Sequence, residues 1–406
     1  MSRKLPLEGI RIVEVGVWHA GPGASAILGD LGAEVIKIES PVGDPERYHG
    51  SFGPIEVTRA ELPDWSLLFE MSNRNKTGIA VDMKAEEGRE ILAALVATAD
   101  VFLCNLRTSA RPRLGIDYDS IRALKPNIVY ASATGFGPRG EKADDGGFDP
   151  MGQAISGMLF LAGHDEPTLQ QMILLDQITA IVLSQAVVVA LLERERTGHG
   201  GDVHASLYGA AVNLMYANVL ATSVHGEEID VSWRRAENSA LRTTFRCADG
   251  KWIIGTNHPE EKYWPAFCEA IERTDLTHDL RFATKQDRLV NRAELIALLD
   301  ELMLSRTQAD WVAAFRAHGV LFAPVNRISD VLQDKQALEN GYIVDYEHRA
   351  LGSIRIPGSP VIYGNHPTVG TQSEAPSLGE HTDSVLAALG VTPDRIDELR
   401  GAGIVK

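Results

Sequence analysis

Asp176 opens a long apolar run, LLDQITAIVLSQAVVVALLERERTGHGGD (Leu174–Asp202), which closes on a charged ERER turn and a Gly-rich exit. A carboxylate so placed can cap a helix, accepting from N–H groups at the positive end of its dipole. It can equally serve as a nucleophile, kept ionised and helped by that same dipole. Two basic stretches, NRNK (Asn73–Lys76) and RTSARPRLG (Arg107–Gly115), gather positive charge on an acidic chain. Loops carrying Lys and Arg at strand exits suit a phosphate-bearing ligand. Other chemistries lack their residues. There is no G-x-S-x-G for a serine nucleophile, no H-E-x-x-H and no clustered Cys/His set, so no metal site is expected. His19, His164 and His199 fall in loops without ligand spacing.

These residues need elements to hold them. Ile178–Leu192 is apolar on nearly every side, which predicts a helix buried on nearly every side. At about 15 residues the run falls short of the ~20 that a bilayer span requires. Gly9–Glu39 reads as strand, Gly/Pro turn, small-residue helix and second strand. Its glycines, Gly16, Gly21 and Gly23, do not make G-x-G-x-x-G, and no P-loop motif occurs anywhere. Ser40–Asp64 is a polar excursion too long for a simple connection, as functional loops often are. Thr77–Lys84, Asp100–Leu106 and Asn127–Gly137 read as further strands alternating with helices. The fold class is therefore α/β, with a doubly wound, Rossmann-like large domain whose parallel sheet is covered on both faces. Asp202–Leu220 reads as a strand turning into a second long helix. The pattern changes near His225. Leu241–Thr256 is a hairpin about Ala248-Asp249-Gly250, and helical segments follow, which makes a smaller α+β domain. The predicted boundaries are 1–224 for the large domain, 225–322 for the small one and 323–406 for a C-terminal return to the first.

Composition narrows the function classes. With 406 residues the chain can build two cores, and 44% apolar with 23% charged residues is ordinary for a globular protein. Lys and Arg number 39 against 55 Asp and Glu, a net charge of −16, which argues against nucleic acid or an anionic membrane as partner. Three scattered cysteines make no disulfide framework, and no signal peptide opens the sequence, so a cytoplasmic location is expected.

Taken in order, several segments carry a resemblance. They are LEGIRIVEVGVWHAGPGASAILGDLGAEVIKIESPVGD, NRNKTGIAVDMKAEEGRE, ADVFLCNLRTSARPRLGIDY, NIVYASATGFGPRG, GFDPMGQAISG, LLDQITA and LLERERTGHGGDVHASLY. This series resembles the class III CoA-transferases, the family of formyl-CoA transferase, carnitine CoA-transferase and α-methylacyl-CoA racemase. It covers most of Leu7–Tyr208. The resemblance implies that coenzyme A thioesters are substrates and that no cofactor is held permanently. It implies that Asp176 is the catalytic nucleophile and that His19 and Ala20 border the thioester. By the same resemblance Val81 and Lys84 contact the nucleotide end of CoA, and Asn105, Leu106 and Arg113 grip it. An interlocked dimer is implied, with a second copy of the chain or with a homologous subunit.

The departures bear on the reaction. Racemases of the family carry an acid/base histidine where this chain has Phe148. Some members close the site with a glycine run where this chain has GTNHPEEK. The implied function is CoA transfer from an acyl-CoA donor such as succinyl-CoA to a free carboxylic acid. Trp18, Trp65 and Phe148 point to a bulky, benzylsuccinate-like acid, with Trp18 and Phe148 in the substrate pocket. The alternatives are a racemase or isomerase of the same fold and a non-catalytic CoA-binding subunit.

Overall fold

The computed structural model describes residues 4–53, 55–59, 62–161, 166–171, 173–226, 239–364 and 369–406; His164 lies outside them. Six strands build one all-parallel sheet: β1 (Arg11–Val15), β2 (Glu34–Glu39), β3 (Lys76–Ala80), β4 (Val101–Cys104), β5 (Val129–Thr134) and β6 (Asp202–Ser206). Their order is β3-β2-β1-β4-β5-β6. Chain direction across the sheet therefore reverses between β1 and β4. In doubly wound sheets, ligands collect beyond the carboxyl ends of the strands at that point.

The strands are nearly continuous apolar runs because both faces are covered. Ile12, Val101, Leu103 and Val129 enter one core, while Val13, Phe102, Cys104 and Tyr130 enter the other. On the first face lie α1 (Ala20–Asp30) and a long helix, Leu174–Thr197; between them in sequence come α2 (Leu67–Asn73), α3 (Glu86–Thr98), α4 (Tyr118–Leu124) and α5 (Asp149–Ile155). The long helix is α6. On the second face, Ile91, Leu92 and Leu95 of α3 and Ile121 of α4 fill the core.

Several expectations change here. Helix α6 has 24 residues and is capped by Ile173, so Asp176 sits inside its first turn rather than at the cap. By length and composition α6 could cross a membrane, but Ala180, Leu183 and Val187 are buried in the core beside the sheet. Its other side is exposed: Ile181, Val188, Leu192 and Val189, the last 58% accessible. An all-round apolar composition thus marks a helix with two apolar faces, of which this chain covers one. The second long helix is in fact two, α7 (Leu207–Leu214) and α8 (Tyr216–His225), bent by 69° at Met215.

The chain divides into a larger unit (1–159, 168–229 and 341–406) and a smaller one (160–167 and 230–340). In the smaller unit, β7 (Thr244–Arg246), β8 (Trp252–Gly255) and β9 (Phe322–Val325) form an antiparallel sheet. Helices α9 (Glu260–Ala270), α10 (Arg292–Met303) and α11 (Gln308–Ala317) complete its core with Trp264, Phe267, Trp311 and Phe315. The return to the larger unit begins at Gly341, not at 323, because β9 pairs with β8 from Phe322 to Val325.

The C-terminal segment closes the open edge of β3. His381 N donates to Gly78 O, Ala80 N donates to the Thr382 hydroxyl, and Val405 bridges Val81. A bare edge strand would otherwise offer its N–H and C=O groups to another chain.

Candidate active site

The exits of β1, β4 and β5 surround a cavity of about 270 Å³ in the larger unit. Its lining includes Trp18, Ala20, Asn105, Leu106, Arg107, Thr134, Asp144, Phe148 and Asp176. Asn105 ties two of the exits together, accepting from Val17 N at 2.9 Å and donating to Val17 O at 2.7 Å. A side-chain amide can do both at once, which hydrophobic or charged residues cannot.

Trp18 holds a left-handed backbone, φ 60°, a conformation rare and strained for a bulky residue. Its N–H donates to Asp44 Oδ1 at 3.1 Å, and its ring meets Phe148 edge-on with centroids 5.5 Å apart. Asp44 belongs to a fully buried ionic cluster under the β1 exit. Lys37 Nζ bonds Glu14 at 3.0 Å, Asp44 at 3.0 Å and Gly16 O at 2.9 Å. Lys76 Nζ reaches Glu14 at 2.6 Å and Pro22 O at 2.8 Å. Burial alone would raise Glu14, but the two lysines pull it down to about 2. The cluster fixes the loop from which Trp18 and His19 project.

His19 is buried one layer behind the cavity. Its Nε2 lies 2.7 Å from Gln177 Oε1 and its Nδ1 2.8 Å from the Ser72 hydroxyl. Burial holds the ring well below its usual range, at about 4, so it is neutral at physiological pH. With Nε2–H donated to Gln177, Nδ1 carries no proton and faces the Ser72 hydroxyl, which also lies 3.0 Å from Leu68 O. A Cβ on Gly23 would stand 2.8 Å from the His19 ring and 3.1 Å from Ala180, so only glycine lets α1 pass α6 this closely.

Asp176 reaches the cavity from the first turn of α6. The cap it was expected to provide comes from Asp149 at the start of α5. Asp149 Oδ2 accepts from Leu175 N at 2.6 Å and from Asp176 N at 3.1 Å. Burial first, and the Asp149 carboxylate second, push Asp176 up to about 7. That reverses the expected dipole effect: the helix N–H groups that would favour the Asp176 anion are engaged by another carboxylate.

Of the residues singled out from sequence, Asp176, Trp18, Ala20, Asn105, Leu106 and Phe148 meet in this cavity. Val81 is buried in its bridge to Val405, while Lys84 and Arg113 are exposed at the exits of β3 and β4, outside the lining. Trp65 lies elsewhere, against His348, and His199 is exposed. Arg107 was expected only as the start of a basic, phosphate-binding stretch, and Asp149 and Gln177 had no role of their own in the sequence. The aspartate-proline step after Phe148 was a visible helix start, but nothing local tied it to a helix 26 residues on. Among the described residues no cluster of His, Cys, Asp and Glu could hold a metal ion.

The profile of CoA-transferase family III matches residues 7–382. The chain belongs to that family and is a CoA-transferase. Succinyl-CoA:glutarate CoA-transferase of Mus musculus is 32% identical to it, over 99% of this chain and 90% of that protein. (R)-2-hydroxy-4-methylpentanoate CoA-transferase of Clostridioides difficile is 31% identical, over 98% of this chain and 99% of its own length. Among solved structures, a CAIB/BAIF family protein from Brucella suis matches with a TM-score of 0.84 at 30% identity, covering 95% of this chain and all of the other.

Proposed function

We propose that this family III enzyme moves CoA from an acyl-CoA to a free carboxylic acid through covalent intermediates on Asp176. The observation that carries the reading is a carboxylate poised near neutrality in the cavity at the sheet's switch point. A carboxylate Oδ attacks the donor thioester carbon and expels CoA thiolate, giving an aspartyl–acyl anhydride. The thiolate attacks the aspartyl carbonyl and releases the donor acid, leaving CoA on Asp176 as a thioester. The acceptor carboxylate then runs the two steps in reverse and leaves as its CoA ester. Ala20, Asn105 and Leu106 border the path of the pantetheine arm. His19 holds Gln177 beside the nucleophile. Val81, Lys84 and Arg113 serve the nucleotide end beyond the cavity, where Lys and Arg suit phosphates.

The acid is bulky and carries a second anionic group, as benzylsuccinate does. The Trp18–Phe148 pair offers an aromatic wall, and Arg107 is the cation of the cavity lining. Succinyl-CoA is the matching donor. Exchange of an α-proton has less support, since Phe148 has no titratable group and His19 lies outside the cavity lining with both ring nitrogens engaged by Gln177 and Ser72. The working form is an interlocked dimer. The exposed apolar residues of α6 and of α7–α8, among them Leu214, Leu220 and Val224, are the surface it would cover. The enzyme acts in the cytoplasm.

The test is mass spectrometry after incubation with acyl-CoA and hydroxylamine, which traps aspartyl thioesters and anhydrides. Modification of Asp176 is the expected result. An active enzyme whose Asp176 stays unmodified overturns the reading.

A further inference from the structure

Asp149 is 6% exposed and touches the nucleophile's own backbone. Its Oδ1 accepts from Gln153 Nε2 at 2.6 Å, and Gln153 Oε1 accepts from Gln170 N at 3.1 Å. Oδ2 accepts from the N–H groups of Leu175 and Asp176. One buried chain of hydrogen bonds therefore runs from the segment before α6, through α5, to the peptide N–H of Asp176. All of Asp149's partners are N–H donors, the set that a carboxylate accepts. The docking of α5 is also close: a Cβ on Gly152 would lie 2.8 Å from Leu175 and 3.1 Å from Leu207.

We propose that Asp149 is the positioning residue for Asp176, holding the first turn of α6 so that the nucleophile's carboxylate emerges at one place in the cavity. This rests on the reading of Asp176 as nucleophile. The two carboxylates are not an acid/base pair. One makes the covalent bond, and the other sets its place and supplies a like charge beside it. The charge is separable from the cap, because an amide at 149 keeps one acceptor oxygen for the Leu175 and Asp176 N–H groups and loses the charge, while its NH2 takes the place of Oδ1 and gives up the bond from Gln153 Nε2. The other charged or titratable groups around Asp176 are His19, reached through Gln177, and Asp144, Asp145 and Arg107 on the cavity wall.

The experiment measures the rate of Asp176 adduct formation from acyl-CoA by rapid quench and mass spectrometry, across pH, in the full-length protein and two variants. Asp149→Ala is expected to slow adduct formation ~10–100-fold, while the KM for acyl-CoA changes less than about threefold. Asp149→Asn is expected to keep the rate within about fivefold at high pH and to move its acid limb ~0.5–1 unit lower. An adduct formed as fast in Asp149→Ala as in the unaltered enzyme overturns the proposal. Two variants equally slow, with the acid limb unmoved, also overturn it, because a merely structural aspartate behaves that way. If Asp149→Ala does not fold, the acid limb of Asp149→Asn decides. Failure of the unaltered enzyme to form any adduct overturns the nucleophile reading itself; an adduct with unaffected variants overturns this inference alone.

Discussion

Two carboxylates close to the β1 exit experience opposite fates. Glu14 is fully buried, yet Lys37 and Lys76 hold it down at about 2. Asp176 keeps part of its surface open to the cavity, and burial first and Asp149 second push it up to about 7. Burial pushes both carboxyls up and is the larger cause at Asp176; the two part company because Glu14 has two lysines to overcome it, whereas Asp176 faces a further carboxylate. A carboxylate surrounded by ammonium groups is inert and holds a loop in place. A carboxylate facing another carboxylate is ready to change its protonation or its bonding near neutral pH. One loop links the two, since the ionic cluster also anchors Trp18 on the cavity wall.

The sharpest way to break the contrast is at its reactive side. Asp176→Asn should lower kcat for transfer at least ~1,000-fold and raise the thermal midpoint, because a carboxyl disfavoured by its surroundings is gone. A transfer assay and a melting curve on the same sample check both. Retained activity would erase the distinction drawn here.

At the inert side, Lys76→Met should cost about 3 kcal/mol in urea unfolding, since Glu14 loses one of its two buried cations and keeps only Lys37 and the Ser25 hydroxyl. A loss below about 1 kcal/mol would mean that Lys37 alone suffices.

Acid should then separate the two regions without mutation. Asp176 must be ionised to attack, so kcat/KM should fall about tenfold per pH unit below about 7. Glu14 has a folded pKa lowered from 4.5 to about 2. Its contribution to stability is present above about 4.5 and is lost as pH falls toward 2. Activity should therefore disappear between about pH 7 and about pH 5 with unfolding free energy retaining the Glu14 contribution, as parallel rate and unfolding titrations would show.

The smallest effect is expected at the cavity rim. Arg107→Gln should raise the KM of a dicarboxylic acceptor ~10-fold and leave that of a monocarboxylic acid within about twofold. Equal changes for both acids would assign Arg107 to CoA instead.

Much of this was visible in the amino-acid order. The alternation of largely apolar strands with helices announced the parallel sheet, because a sheet covered on both faces takes polar residues only where they find buried partners, as Glu14, Lys37 and Lys76 do. Asp176 stood out as an acidic residue at the head of a run that had to be helical. What the order could not show was long-range pairing. Asp149 caps a helix 26 residues away, and no local pattern records such a bond. Nor could periodicity tell a helix buried all round from α6, whose second apolar face lies exposed. The break at Met215 was hidden for a similar reason, as its flanks have the same composition. Of the two basic stretches expected at strand exits, RTSARPRLG does follow β4, but NRNK leads from α2 into β3, where Lys76 is buried against Glu14 and Arg74 pairs with Asp30; Lys84 follows the edge strand β3 while the cavity lies between β1 and β5.

The closing of β3 by His381, Thr382 and Val405 bears on how the chain is made. The parallel sheet is assembled from the first half of the sequence, but the groups along its outer edge find their partners only after residue 381 has been synthesised. During translation, while the smaller unit is being produced, the growing chain carries an unprotected strand.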